Sequence, residues 1–371
     1  CNLTNACELD VFLSRFSNRA DFLRDAFKKF FNTDLISFFE SRGLKLKTER
    51  QLRVFPVTDK SSSVVDVLEK ELKKNRVDIL YNIVLKSIVV EGGHVTGILT
   101  QTGEFIKADK IILATGGASY RFTGSSGEGL DIAKSLGHRL VPLRAGLVPL
   151  DTKWSYNKLL EGLTLKNIRL NFSDGKKHIY SDIGELLFTG SGISGPLVLS
   201  LSGRIIDWMN KGAHISVSVD LKVALSKDAL DKRLLREFTI APKKNIRNIL
   251  KELLPLRLVD IFLGILNISK QKQASQITYK ERLAIVDLLK SLCFDIKKAL
   301  PLEEAMVTRG GVSLKEINPR TMESRLIKGL YFAGEIMDVD ADTGGFNLQA
   351  AFSTGYLAGE SAALAVLTKA E

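Results

Sequence analysis

Apolar positions recur at helical spacing from about residue 10 to 43. Phe22, Phe27, Phe30 and Phe31 share a face, Phe38 and Phe39 continue it, and Gly43 suits the position after a helix end. Two helices are predicted, with Asn32 or Thr33 as the cap of the second. Leu44-Lys45-Leu46-Lys47 alternates and predicts a strand. Ser61-Ser62-Ser63 caps a helix running to about Lys74, and Val77 to Tyr81 reads as a further strand. Three alternating runs follow: Ser87 to Val90, Val95 to Leu99 and Phe105 to Lys107. Turns at Glu91-Gly92-Gly93 and Thr102-Gly103 separate them, the signature of a three-stranded meander. The meander leads into Lys110-Ile111-Ile112-Leu113-Ala114-Thr115-Gly116-Gly117. This run is apolar throughout, as for a parallel strand buried on both faces, and it ends in a glycine pair that a ligand can approach.

From about Leu147 the texture changes. Alternating strands and polar turns run to about Leu221. Helical spacing then puts Ile246, Ile249, Leu250 and Leu253 on one face, and Leu283, Val286, Leu289 and Leu292 on another. Strand character resumes at Ala305-Met306-Val307-Thr308-Arg309-Gly310-Gly311-Val312. Gly329-Leu330-Tyr331-Phe332-Ala333-Gly334-Glu335 predicts a short buried strand ending in Gly-Glu. Asp342-Thr343-Gly344-Gly345-Phe346-Asn347 follows, then a helix of small residues from about Leu348 to Leu367.

Gly190-Ser191-Gly192-Ile193-Ser194-Gly195 matches the G-x-G-x-x-G dinucleotide pattern. Its context argues against that role. The preceding strand is short and begins after polar Ser181-Asp182, and no second glycine-ended parallel strand follows nearby. A structural turn is expected there.

The length of 371 residues predicts more than one domain. No apolar run is long enough to span a bilayer, and the chain does not open on a secretory signal. Cys1, Cys7 and Cys293 lack metal spacing and suggest a reducing, cytoplasmic setting. His94, His138, His178 and His214 are scattered, so no metal site is expected. The net charge of +11 is spread among acids, as in Lys70-Glu71-Leu72-Lys73-Lys74. This reads as a solvated basic surface rather than a nucleic-acid site, although it can attract an anionic cofactor or RNA.

The chemistry is expected beyond the carboxyl ends of the two glycine-terminated strands, where open parallel sheets bind ligands. Glu335 there can accept hydrogen bonds from ligand hydroxyls. A Gly-Gly turn opening a helix presents N–H groups at the positive end of the helix dipole. These features resemble the FAD domain of glutathione-reductase-type flavoproteins. More narrowly, several segments resemble, in order and spacing, the bacterial aminoacetone-oxidase-like and bile-acid dehydro-reductase-like NAD(P)/FAD-dependent oxidoreductases. They are Cys1-Asn2-Leu3-Thr4-Asn5, Ala145 to Leu150, Ser194-Gly195-Pro196, Arg309 to Val312, Thr321-Met322-Glu323-Ser324 and Gly334-Glu335 through Gly344-Gly345-Phe346-Asn347-Leu348-Gln349.

The resemblance implies an α/β fold with an α+β insert: a Rossmann-like FAD-binding domain with the meander, interrupted by a β-barrel-like and helical subdomain. The FAD domain is expected at 1–147 and 318–371. The insert is expected at 148–317, barrel-like at about 148–222 and 303–317 and helical at about 223–302. The family's opening βα unit, about 30 residues or more, with its glycine fingerprint, is expected to be absent. Cys1, Asn2, Thr4 and Asn5 are expected along the flavin, Leu85 near the adenine, and Thr115, Gly116 and Gly117 near the adenosine half. Gly334 and Glu335 are expected at the ribitol, and Gly344, Gly345, Phe346 and Asn347 at the pyrimidine end. Tyr120 and Thr123-Gly124-Ser125 are expected to shape the pocket. Arg309, Asp340 and Asp342 read either as substrate contacts or as solvated loop charges. Relatives often carry a histidine where Gly190 stands, so the catalytic acid or base is unassigned.

The implied function is FAD-dependent hydride transfer through flavin N5, between a small organic substrate and NAD(P)H or oxygen. The competing readings are a flavoprotein acting on RNA and a non-catalytic flavin-binding regulator. No membrane partner is expected. The sequence leaves the substrate and the oligomeric state open.

Overall fold

The computed structural model describes residues 1–368. The chain forms two compact units, one from residues 1–146 and 302 onward, the other from residues 147–301.

In the first unit, Ile111–Leu113 pairs in parallel with Leu330–Phe332, with Ile111 opposite Leu330. The long helix Phe346–Leu367 packs near this pair and buries Phe346, Ala350, Ser353, Thr354, Leu357 and Ala358. Small residues on its inner face allow close approach: the Thr354 hydroxyl accepts the Gly334 N–H at 3.0 Å. Phe12, Phe16, Phe27, Phe31 and Phe346 pack as a connected aromatic cluster, with Phe12 edge-on to Phe346 at a centroid distance of 4.7 Å. Such pairs add about 0.5–1.5 kcal/mol each beyond their burial. The predicted meander forms from Leu85–Glu91, His94–Thr100 and Phe105–Lys107. Thr4–Asn5 pairs with Arg53–Pro56, which also pairs with Leu46–Thr48.

Two strand expectations need correction here. Val77 to Tyr81 forms no strand, and Tyr81 is 71% exposed; among the described residues these positions have no ladder partner. The Ile111–Leu113 strand is not buried on both faces: Ile112 is 39% exposed, on the opposite face from Leu113, which is 3% exposed.

In the second unit the strand pairings run in a closed circuit. Thr164–Ser173 pairs with Gly184–Phe188, then Gly192–Ser194, Leu150–Thr152, Leu292–Ala299 and Ser216–Asp220, which pairs back onto Thr164–Ser173. Closure leaves these strands without an open edge. The alternating apolar residues Leu170, Phe172, Val217 and Val219 enter one buried cluster, shared with the helices Pro196–Met209, Lys227–Ile240, Leu256–Ile265 and Tyr279–Lys290.

The expected boundaries of this unit shift. Its helical part was expected to reach residue 302, with Leu292 on a helix face, but Leu292–Ala299 is a strand whose residues alternate between buried and exposed. Residues 303–317 were expected in the insert and belong to the first unit, because Val307–Val312 pairs antiparallel with Leu140–Gly146. No described helix is long and apolar enough to cross a membrane.

Candidate functional site

The parallel strands Ile111–Leu113 and Leu330–Phe332 deliver Gly116-Gly117 and Gly334-Glu335 past their carboxyl ends. Gly116 and Gly334 have φ of +75° and +73°, a backbone conformation that favours glycine. A Cβ on Gly117 would overlap the Thr308 side chain and lie 3.0 Å from Glu335 Oε1. Glycine therefore lets three segments meet. Thr308, fully buried, accepts the N–H groups of Ala118 (2.8 Å) and Ser119 (3.1 Å) on its hydroxyl, which donates to Ser119 Oγ at 3.2 Å. Glu335 Oε1 accepts the Thr308 N–H at 2.5 Å and the Ser119 hydroxyl at 3.5 Å.

Burial pushes the Glu335 carboxyl above its ordinary value, and hydrogen bonds from Thr308, Ser119 and the Gly117 backbone oppose the shift. With the folded value raised, the folded state holds this proton at pH values where the unfolded chain has released it. The contribution is fully present below the unfolded value and is lost as pH rises through the folded one. Glu335→Gln is expected to flatten that fall. Urea midpoints between pH about 4 and 8 will show it as a smaller decline with pH in the variant, both measured without cofactor.

Glu335 also lines a cavity of about 210 Å³ with Val307, Met337, Asn347, Leu348 and Thr354. Asn347 and Leu348 belong to the first turn of the Phe346–Leu367 helix, whose opening N–H groups have no intrahelical acceptor. Gly345 caps this helix at φ +92°, and a Cβ there would stand 2.5 Å from the Thr4 carbonyl. The turn is also held by side chains. Asn5 Nδ2 donates to Gly344 O at 3.2 Å. Asn347 Oδ1 accepts the Ala341 N–H at 2.9 Å while its Nδ2 donates to Ala341 O at 3.0 Å. Beside them Thr4 is fully buried, and neither its Oγ1 nor Asn2 Oδ1 has a hydrogen-bond partner among the described residues.

The structure thus gathers Thr4, Asn5, Gly344, Gly345 and Asn347 in one place. Gly117, Gly334 and Glu335 cluster beyond the strands, and Glu335 and Asn347 share the cavity. Phe346 turns its ring into the aromatic cluster. Leu85 is half-buried against the apolar core, while Thr115 and Cys1 are exposed. Asp340 and Asp342 are not solvated singletons. Arg19 bridges Asp338 (2.7 Å) and Asp340 (3.2 Å), Arg309 reaches Asp340 at 3.4 Å, and Arg15 reaches Asp342 at 3.4 Å. Thr308 and Ser119 escaped the sequence reading. A threonine that, with Arg309, interrupts the apolar and glycine residues from Ala305 to Val312 was the available signal.

Around Gly190 to Gly195 the glycines face the chain itself. Gly192 lies in a strand antiparallel to both neighbours, and a Cβ would overlap Leu150 O. Gly195, at φ +94°, would place one 2.9 Å from Leu187 N. The parallel βαβ geometry that carries a pyrophosphate is missing from this stretch.

A family model described as the HI0933-like protein Rossmann domain matches residues 1–361. The chain is 30% identical over 364 residues to the 3-dehydro-bile acid delta(4,6)-reductase of Clostridium scindens, an alignment covering 98% of this chain and 87% of the relative. It is 30% identical over 363 residues to the ribosomal RNA dihydrouridine synthase of Haemophilus influenzae, covering 96% and 85%, and 28% identical over 361 residues to the Escherichia coli protein of that name, with the same coverage. With this match across both units, the chain belongs to the HI0933-like Rossmann-domain family and is an enzyme of the oxidoreductase class.

Proposed function

We propose that this protein uses FAD, with NAD(P)H as reductant, to reduce a carbon–carbon double bond conjugated to a carbonyl in a small organic substrate. The observation that carries the reading is the cavity lined by Glu335 and Asn347, beyond the parallel strands and against a helix N-terminus. The residues present fit the cofactor. Thr4 Oγ1 and Asn2 Oδ1 are buried polar atoms in want of a partner, beside a Gly-Gly turn rich in backbone donors. When bound, FAD supplies two-electron hydride chemistry at its N5.

The protein's part is binding and electrostatics. The first-turn N–H groups of the Phe346–Leu367 helix would stabilise negative charge at the pyrimidine end of the bound cofactor. Asn5 and Asn347 fix the turn that presents those groups. Glu335, anchored through Oε1 on Thr308, would hold the ribitol by accepting its hydroxyls. Cys1, Leu85, Thr115 and Gly116 complete the proposed cofactor path.

The names of two kinds of relative support the reaction class. A delta(4,6)-reduction beside a 3-oxo group and the formation of dihydrouridine both saturate a carbon–carbon bond conjugated to a carbonyl. A second reading, uridine in RNA as substrate, is favoured by where the charge lies. Residues 147–301 hold 25 Lys and Arg against 15 Asp and Glu, whereas the rest of the chain holds 28 against 27.

The visible absorption spectrum of the purified protein, with the released chromophore identified by chromatography, tests the cofactor. FAD is expected, and a folded colourless protein would sink the reading. NAD(P)H oxidation is then followed with an α,β-unsaturated ketone and with RNA, the latter digested and scored for dihydrouridine by mass spectrometry. Turnover of the ketone alone supports the first reading, and dihydrouridine supports the second.

A further inference from the structure

We propose that the outer face of the Lys227–Ile240 helix, continued by the Lys243-Lys244 turn, is a docking surface for the phosphate backbone of RNA. The proposal rests on the RNA reading of the function. Nearly all of the net charge of +11 belongs to residues 147–301, so this unit is where a polyanion is drawn.

Within it the helix is two-faced. Leu230, Leu234 and Phe238 are buried, and Lys232, Arg233 and Arg236 fall on an opposing stripe. Lys232, Arg236, Lys243 and Lys244 are exposed. None of these five cations is in an ion pair among the described residues. Of the acids nearby, Asp231 is engaged with Arg282, Asp220 with Lys290, Asp287 with Lys227 and Glu281 with Lys272, while Asp228 and Glu237 of the same helix stand four residues from Lys232 and Arg233 as partial counter-charge. Lys232 and Arg236 stand at i, i+4 and Arg233 and Arg236 at i, i+3, like charges whose spacing costs stability in the unbound protein.

Lys222 lies beside this stripe and feels one of its cations. Burial, and then the Arg233 guanidinium, hold its ammonium below the ordinary lysine value, and a phosphate placed there would offset the second of these. A membrane is not the favoured occupant, since Leu230, Leu234 and Phe238 are spent in the core and only Leu235 and Ile240 of the helix's large apolar side chains are exposed. Backbone contacts of this kind position an RNA without reading its sequence.

The test uses the full chain and a fluorescein-labelled RNA hairpin, titrated over a range of salt. Replacing Arg236, Lys243 and Lys244 together by Gln is expected to reduce the slope of log affinity against log salt by about 2–3, near one per lost phosphate contact. Replacing Lys70, Lys73 and Lys74 by Gln, an equal charge change on the exposed side of the Ser62–Lys74 helix, is expected to alter affinity less than about twofold. All the replaced side chains are exposed, and an unchanged urea midpoint verifies the fold. Equal losses from the two triples, an unchanged slope in the first, or no binding of the hairpin by the parent protein would each overturn the proposal. Binding of a poly-glutamate peptide as tight as that of the RNA would overturn it as well. Failure of the reductase reading shows separately, as a missing flavin spectrum or as flavin without turnover.

Discussion

Gly345→Val is expected to yield a protein without flavin absorbance and with a urea midpoint shifted by the equivalent of roughly 2–5 kcal/mol. Two penalties combine. Gly345 sits at φ +92°, where an L side chain costs about 1–2 kcal/mol and a β-branched one is strained further. Its Cβ would also stand 2.5 Å from the Thr4 carbonyl, and backbone cannot rotate away as a flexible side chain would; overpacking of this kind costs about 1–3 kcal/mol. Relief requires either that the Phe346–Leu367 helix draw back or that Thr4–Asn5 leave Arg53–Pro56. Both displace the turn proposed to face the cofactor. The clash is thus with the protein's own strand rather than with the flavin ring. Gly355→Ala is the control. A Cβ there meets nothing within 4 Å, and the same helix is expected to gain about 0.5–1 kcal/mol. If Gly345→Val kept both its midpoint and its colour, the close packing of the turn against Thr4 would be wrong.

Thr308→Val is expected to cost roughly 2–6 kcal/mol although it preserves shape. The substitution leaves the N–H groups of Ala118 and Ser119 buried without their acceptor, and each such orphan costs about 1–3 kcal/mol. Thr308→Ser keeps the hydroxyl and loses one methyl group, about 1 kcal/mol. Urea unfolding separates the pair, and hydrogen exchange at Ala118 and Ser119 locates the damage. Equal costs for Val and Ser would mean that the methyl, not the hydroxyl, holds the Gly117 to Ser119 segment in place.

The meander was plain because its strands alternate; the parallel strands showed as short apolar runs ending in glycine, and the long helix as a stretch of small residues after a Gly-Gly turn. The sequence carried the glycines at 116, 334, 344 and 345 because turns at positive φ leave a compositional mark. Thr308 was hidden, since its partners lie 189 and 190 residues away in sequence and no local pattern reports them. The Leu292–Ala299 strand was hidden for a different reason. Leu283, Val286 and Leu289 set a helical period that Leu292 happens to continue, and only pairing with Ser216–Asp220 and Leu150–Thr152 decides against it. Gly190 to Gly195 shows the reverse failure: a motif complete in letters, whose glycines serve antiparallel packing.

The discontinuity of the first unit has a consequence for how the chain reaches its fold. Its essential contacts join distant stretches, as between Asn5 and Gly344, 339 residues apart. The second unit is continuous, and its end strands pair directly, Leu150 opposite Ala299. Once it has folded, the intervening segment behaves as a short tether rather than a loop of about 150 residues. Loop-closure entropy then favours assembly of the first unit by about 3 kcal/mol more than in an unfolded insert. Folding from the middle outward follows, so lesions such as Gly192→Val, far from the cavity in sequence, are expected to slow recovery of the first unit after dilution from denaturant.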